Sequence, residues 1–429
     1  MIWELTVLFG VMLIFMILGT PVFIAMALAE AAYVIGFWPN VPIMVVTQGF
    51  IKGLSNYHFA AIVFFFLAGE IMNAGGITDR LLRFARACFG SVPGGLSHVN
   101  ILSSMVFAGV SGSVMADASA IGSIMIPAMK REGYPGDYSA AVTSASATIG
   151  PVIPPSIPLV LFGLFAMTSI GRLFVAGIVP GILMGVFLLV ASYIISRARK
   201  YPATQWVGLT ELFHATMGAV LALLMPLIVV VGIVGGVATV TEVGAVAAAY
   251  ALIVSMFIYR ELSLDRLWQV MCKVGIDGSK VLIIVTVAGL FIWIIGNMNV
   301  GKVLADWIGG VTTNPTLILG LMALVLLIGG MFLDPITVFV IFVPMMVPTA
   351  AAVGINLTQM GVVAVLANLL GLGTPPVGMV VFLCAAQAEA HVHHVFKEIM
   401  PFLGALFVLL VLLIIFPQLS LWLPQLLMD

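Results

Sequence analysis

The chain is 429 residues long, 62% hydrophobic and only 8% charged, which excludes a soluble globular protein and defines a polytopic membrane protein. A formal net charge of −1 excludes the basic surface that a nucleic-acid partner needs. No period-2 alternation is present, so α-helices are the spanning elements, because backbone polar groups in lipid must be satisfied within the segment.

In chain order, MIWELTVLFGVMLIFMILG lacks a basic leader and carries Glu4, so it reads as a retained first span. Residues 1–57 are expected to be scaffold helices. A first repeat over 58–168 is expected to contain a re-entrant hairpin, 98–130, and a broken helix, 137–166. Scaffold helices follow over 169–260, among them LFVAGIVPGILMGVFLLVASYIIS (173–196), longer than the roughly 20 residues that cross a bilayer. Within 261–387, an amphipathic arm helix (260–281) leads into a second hairpin, 314–350, and a second broken helix, 358–387. Residues 388–429 form a connection and a last helix.

Both hairpins interrupt apolar runs with small or acidic residues, VSGSVMAD in the first and MFLDP in the second. Non-helical backbone at membrane depth is tolerated only where protein buries it or a watery cavity meets it. Gly112, Asp117 and Pro127 match Gly329, Asp334 and Pro344 at an offset of 217. GPVIPPS (150–156) likewise pairs with GLGTPPVG (371–378), each first glycine standing four positions before its double proline. Such internal symmetry, with the halves entering from opposite faces, is the mark of an inverted-repeat secondary transporter.

The prolines at 151, 154, 155 and 158 and at 375 and 376 remove backbone donors, so both helices are expected to unwind at their centres. Freed carbonyls suit a hard cation such as sodium, and the half-helices that resume after each break aim positive dipole ends at an anionic substrate. The sodium ligands read from this pattern are Ser111, Gly112, Ser113, Asp117, Pro154 and Ser156 in the first repeat. In the second they are Gly330, Asp334, Gly371, Gly373, Thr374 and Pro375. Thr148, Gly150, Pro155, Pro376 and Gly378 are expected to contact the substrate. Asp117 and Asp334 each have a second reading as a helix cap, Asp334 with Pro335 at the first helical position.

Thirteen of the sixteen Lys and Arg residues cluster at 80–86, 130–131, 197–200, 260–280 and 397, and the positive-inside rule puts these on the cytoplasmic side. Both termini are then expected outside. Lys52, Arg172 and Lys302 fall on the other side, and Arg172 and Lys302 read as interface anchors. Cys88, Cys272 and Cys384 have no metal spacing and read as packed thiols. His391, His393 and His394 with Glu389 fit no closed metal site and read as a solvated connection, and His58 as packed or interfacial.

FFFLAGEIMNAGGITDRLL, SGSVMAD, GPVIPPS, LFVAGIVPGILMG and GLGTPPVG, in this order, resemble the large membrane subunit of tripartite ATP-independent periplasmic transporters. The resemblance runs over nearly the whole chain. It implies an all-α, elevator-type, sodium-coupled importer of organic anions in a bacterial inner membrane. It also implies two partners: a small four-helix membrane subunit, here a separate chain, and a soluble periplasmic substrate-binding protein. The family's hairpin-tip pattern falls on Ser111, Gly112, Ser113 and Asp117, and its second-hairpin acid on Asp334. No catalysis, and no cofactor beyond sodium as coupling ion, is implied. A proton-coupled carrier of the same architecture is the alternative, and an intramembrane aspartyl protease using Asp117 and Asp334 is a remote one.

Overall fold

The computed structural model describes residues 2–55, 57–203 and 208–428, without the side chains of residues 2, 110, 111, 305, 307–309 and 311. Among the described residues the chain is helical, with no strand, and seven helices are long and apolar enough to cross a membrane. Local chemistry sets their ends. At the start of Val240–Ile253 the Thr239 N–H donates to Glu242 Oε2 (2.7 Å) while the Glu242 N–H donates to Thr239 Oγ1 (3.4 Å), a reciprocal cap. Pro315 and Pro335 begin their helices at the position where a missing N–H costs nothing.

Two helix–turn–helix hairpins stand in corresponding places, Gly95–Ser111 with Val114–Arg131 and Pro315–Phe332 with Pro335–Ala352. An interrupted helix follows each one. Gly136–Ala147 resumes as Ile157–Phe165, and Leu357–Leu372 resumes as Met379–Ala388. The breaks coincide with the double prolines, whose Pro154–Pro155 and Pro375–Pro376 bonds are cis.

The residues that precede equivalent helices give the register of the repeat. Pro42 and Ser263, Ser113 and Asp334, and Pro135 and Asn356 each stand 221 residues apart, as do the double prolines. The offset of 217 expected for the hairpins is therefore corrected. Asp334 is the counterpart of Ser113, and the counterpart of Asp117 is Val338, a buried apolar residue. Identical letters do not mark the repeat, because different residues stand at the same extended position before the equivalent helix, and only Asp334 caps it with its side chain.

The repeat also reaches back before residue 58. Ile43–Leu54 followed by Phe59–Ala74 corresponds to the single helix Leu264–Asn297, in which the expected arm and the following span are continuous. At 34 residues that helix is about 51 Å long, well beyond a ~30 Å hydrocarbon core. Ile43–Leu54 crosses it very closely: a Cβ on Gly289 would come within 2.2 Å of the Gly49 carbonyl.

The halves exchange contacts symmetrically. Val114–Arg131 packs on Met379–Ala388, and Pro335–Ala352 packs on Ile157–Phe165, where the Phe162 and Phe339 rings meet edge to face at 6.5 Å. One continuous core holds both hairpins and both interrupted helices, and a second gathers the first two helices around Phe291 of Leu264–Asn297. Ion pairs draw the cationic ends together: Arg80 with Glu261 (2.6 Å), Arg83 with Glu211 (2.7 Å) and Arg199 with Glu398 (2.6 Å).

Candidate functional site

Both hairpin turns and both helix breaks meet at one cavity of about 180 Å³. Gly112, Ser113 and Val114 line it from the first hairpin and Asp334, Pro335 and Ile336 from the second. Pro151, Ile157 and Pro158 come from the first interrupted helix, Leu372 and Met379 from the second, and Phe66 closes the wall. The helices starting at Val114, Pro335, Ile157 and Met379 therefore all begin at or beside this space, which brings their positive dipole ends to it.

A second cavity of about 540 Å³ shares Phe66, Ser113, Met115, Asp334 and Ile336 with the first and extends to Ser119, Glu70, Lys273, Asp277 and Lys280. Apart from Asp334 its charges are paired: Lys273 Nζ donates to Glu70 Oε1 at 2.7 Å and Lys280 Nζ to Asp277 Oδ1 at 2.8 Å. The tips thus adjoin a polar vestibule.

The first tip is fixed by a close backbone approach. Gly112 has φ +58°, which favours glycine, and a Cβ there would lie 2.6 Å from the Pro155 carbonyl oxygen. That brings the hairpin turn against the Pro154–Pro155 break. Ser113 precedes the outgoing helix in an extended conformation, and the side chain of Ser111 lies outside the described residues.

Asp117 sits one turn further in and is completely buried. Neither carboxylate oxygen has a hydrogen-bond partner, and Asp117 lies outside the lining of both cavities. It faces Gly150 at the start of the break, where a Cβ would be 3.5 Å from Asp117 Oδ2 and 3.3 Å from the Ala147 carbonyl oxygen. Next to it, hydrogen bonds tie the first hairpin arm to the interrupted helix: Asn100 Nδ2 donates to Thr143 Oγ1 (2.6 Å), Ser146 Oγ to Asn100 Oδ1 (3.2 Å) and Ser104 Oγ to Ser146 Oγ (3.1 Å). A buried carboxylate with no hydrogen bond, near the Ala147 carbonyl oxygen and the Ser104 hydroxyl, offers oxygens of the kind that a small hard cation takes.

Asp334 is held differently. Its Oδ1 accepts from the Ile336 N–H (3.0 Å) and the Thr337 N–H (3.2 Å), and its Oδ2 from Thr337 Oγ1 (2.5 Å). It is a helix cap that also borders the cavities. The other hydroxyls named from the sequence are turned back onto their own chain. Thr148 Oγ1 donates to the Ala145 carbonyl (2.7 Å), Thr374 Oγ1 to the Leu370 carbonyl (2.6 Å), and Ser156 Oγ to the Pro151 carbonyl while accepting from the Leu159 N–H (3.1 Å).

In the second repeat the expected glycines form the hairpin contact. A Cβ on Gly371 would meet the Leu327 carbonyl oxygen at 2.2 Å, and one on Gly330 would meet the Asn368 carbonyl oxygen at 2.4 Å and its Nδ2 at 2.9 Å. Gly373, Thr374, Pro375 and Pro376 make up the break, and Gly378 precedes the resumed helix with φ +60°. None of Thr148, Gly150, Pro155, Pro376 and Gly378 is among the cavity-lining residues; Pro151, Ile157, Pro158, Leu372 and Met379 stand there instead.

Asn368 was missed by the sequence reading. It is completely buried, with both amide atoms unpartnered, at the contact between the second hairpin and its interrupted helix. A lone asparagine seven residues before a double proline, in an otherwise apolar helix, was the available signal. Asp117 at Gly150 and Asn368 at Gly330 thus each place an orphaned buried polar side chain against a glycine where a hairpin meets its interrupted helix, though the two are not counterparts in the repeat.

Comparison with known proteins gives the family. The family model for the tripartite ATP-independent periplasmic transporter, DctM component, matches residues 9–419. The sialic acid TRAP transporter large permease protein SiaM of Vibrio cholerae is 36% identical over 408 residues, covering 95% of both chains. The C4-dicarboxylate TRAP transporter large permease protein DctM of Pseudomonas aeruginosa is 36% identical over 370 residues, 86% of this chain and 87% of that one. In overall fold the chain is similar to the Alcanivorax borkumensis YdaH transporter, with a TM-score of 0.61 at 16% identity over 87% of this chain and 88% of that one. These relatives are transport proteins and not enzymes, which removes the protease alternative. This chain belongs to the DctM-component family of tripartite ATP-independent periplasmic transporters, as a multi-span membrane permease.

Proposed function

We propose that this chain imports a small organic anion across a bacterial inner membrane, driven by sodium, as the transport subunit of a three-part system. One observation carries the reading: two hairpin tips and two helix breaks from opposite halves meet at a single cavity, with Asp117 orphaned against Gly150, next to the lining residue Pro151. Each hairpin is seated on its own repeat's interrupted helix, Gly112 against Pro155 and Gly330 against Asn368, and both turns line the shared cavity, which supports re-entrant hairpins entering from opposite faces. Four helix starts directed at one space favour a carboxylate or related acid. Relatives that carry sialic acid and C4-dicarboxylates by name support that substrate class.

Sodium is assigned to the surroundings of Asp117 and Gly150 and of Asn368 and Gly330, where the Asp117 carboxylate and the Asn368 amide are buried without hydrogen bonds. The vestibule with Lys273 and Lys280 lies on the cation-rich, cytoplasmic side and is the release path. Two partners are inferred, a small membrane subunit and a periplasmic binding protein. The isethionate permease DctMQ of Oleidesulfovibrio alaskensis, 36% identical and longer than this chain, supports the first by its joined name. A proton-coupled carrier is the second reading, since an unpartnered buried carboxyl can also carry a proton.

Reconstitution tests the assembly. Liposomes holding this chain, its small subunit and its binding protein are expected to accumulate substrate under an inward sodium gradient, and liposomes holding this chain alone are not. Robust uptake by the chain alone would contradict the three-part reading.

A further inference from the structure

Helices Ile170–Ala198 and Val392–Ile415 pack side by side, and a groove of about 430 Å³ runs between them, sharing no lining residue with the two cavities at the hairpin tips. Its walls are wholly apolar, with Val186, Val190 and Ile194 on one helix and Pro401 and Ala405 on the other. Val190 is 53% and Ile194 62% exposed, so the groove opens outward from the protein. A flexible chain fits in such a volume, whereas a helix of ~10–12 Å diameter would only lie over it.

About one turn beyond the lining of each wall, on the same helix face, stands a cation. Val186, Val190, Ile194 and Arg197 follow one helix face at steps of four, four and three, and Ala405, Pro401 and Lys397 follow the other at steps of four. The two ends coincide, because Arg199 at the end of the first helix donates to Glu398 near the start of the second at 2.6 Å. Arg197 and Lys397 are exposed, and neither makes an ion pair among the described residues. A lipid-facing apolar cleft that ends in two uncompensated cations has the charge and polarity pattern of one phospholipid molecule with an anionic head.

We propose that this groove binds an anionic phospholipid of the surrounding bilayer, with an acyl chain along Val186, Val190, Ile194 and Ala405 and its phosphate against Arg197 and Lys397. The two helices belong to the same continuous core as the hairpins, so the lipid would brace the outer wall of the transport machinery without touching the substrate cavity.

Native mass spectrometry of the full chain in neutral detergent, titrated with phosphatidylglycerol or phosphatidylcholine, tests this. Phosphatidylglycerol is expected to be retained preferentially. Arg197→Gln with Lys397→Gln is expected to weaken its binding about thirtyfold and to equalise the two lipids. Ala405→Phe keeps both cations, fills the cleft and is expected to reduce retention of phosphatidylglycerol as well. Arg260→Gln, an exposed cation elsewhere on the same side, is expected to change nothing. Equal retention of both lipids by the wild type, or unchanged preference in the double and the Ala405→Phe variants, would overturn the proposal. So would a small membrane subunit that cross-links at Val190 and displaces the lipid, because the groove would then be that subunit's seat.

Discussion

The carboxylate of Asp117 and the backbone of Gly150 face each other across the contact between the first hairpin and its interrupted helix, so close that a Cβ on Gly150 would lie 3.5 Å from Oδ2. Both oxygens are buried without a hydrogen-bond partner. An ionised group in that place is costly unless something positive joins it. Gly150→Ala inserts a methyl between that carboxylate and the Ala147 carbonyl, 3.3 Å away, and is expected to raise the sodium concentration needed for half-maximal uptake severalfold. Uptake measured against sodium concentration reads this out, and an unchanged curve would remove the cation from that gap.

Asn368 predicts an unusual split between stability and activity. A buried amide with both atoms unpartnered costs stability of ~1–3 kcal/mol. Asn368→Leu is therefore expected to raise the thermal unfolding temperature in detergent or leave it unchanged, while uptake falls at least about tenfold. Loss of stability and activity together would make Asn368 a structural residue only.

The two aspartates should respond differently, because Asp334 caps a helix and stands where the first repeat has Ser113. Asp334→Ser keeps an acceptor for the Ile336 N–H and Thr337 N–H and is expected to retain most uptake. Asp334→Ala removes the cap and is expected to cost ~1 kcal/mol of stability. Uptake abolished by Asp334→Ser in a folded protein would assign the carboxylate a direct role.

Much of this was legible beforehand. Prolines and glycines announce themselves in sequence, so the interruption expected within 98–130 falls between Gly95–Ser111 and Val114–Arg131, and the break at the 154–155 prolines falls where the missing N–H groups put it. The pairing of Asp117 with Asp334 was not legible. It matched letters, whereas the repeat matches backbone positions, and Ser113 and Asp334 share a conformation and not a side chain. Nor could the sequence tell that Ser156, Thr148 and Thr374 bond back to their own helices or that Asn368 does not, since that depends on which atoms the packed hairpin brings near.

Gly330 tests the second hairpin contact. Gly330→Ala places a Cβ 2.4 Å from the Asn368 carbonyl oxygen, so the hairpin must move; a cost of ~1–3 kcal/mol and loss of uptake are expected. Gly320→Ala on the same arm meets nothing within 4 Å and is expected to behave as wild type in stability and uptake. Equal tolerance of both substitutions would argue against a tightly seated tip.

The most direct test of the account is substrate uptake by the reconstituted three-part system, with sodium and proton gradients imposed separately, for wild type and Asp117→Asn. Wild type is expected to follow the sodium gradient, with a steeper than first-order dependence on sodium. Asp117→Asn, which keeps the shape and removes the charge, is expected to reach the membrane folded and to lose about tenfold to a hundredfold in apparent sodium affinity, the size of losing one charge-assisted partner. Wild-type uptake driven by a proton gradient in sodium-free buffer, or an Asp117→Asn variant with an unchanged sodium response, would contradict it.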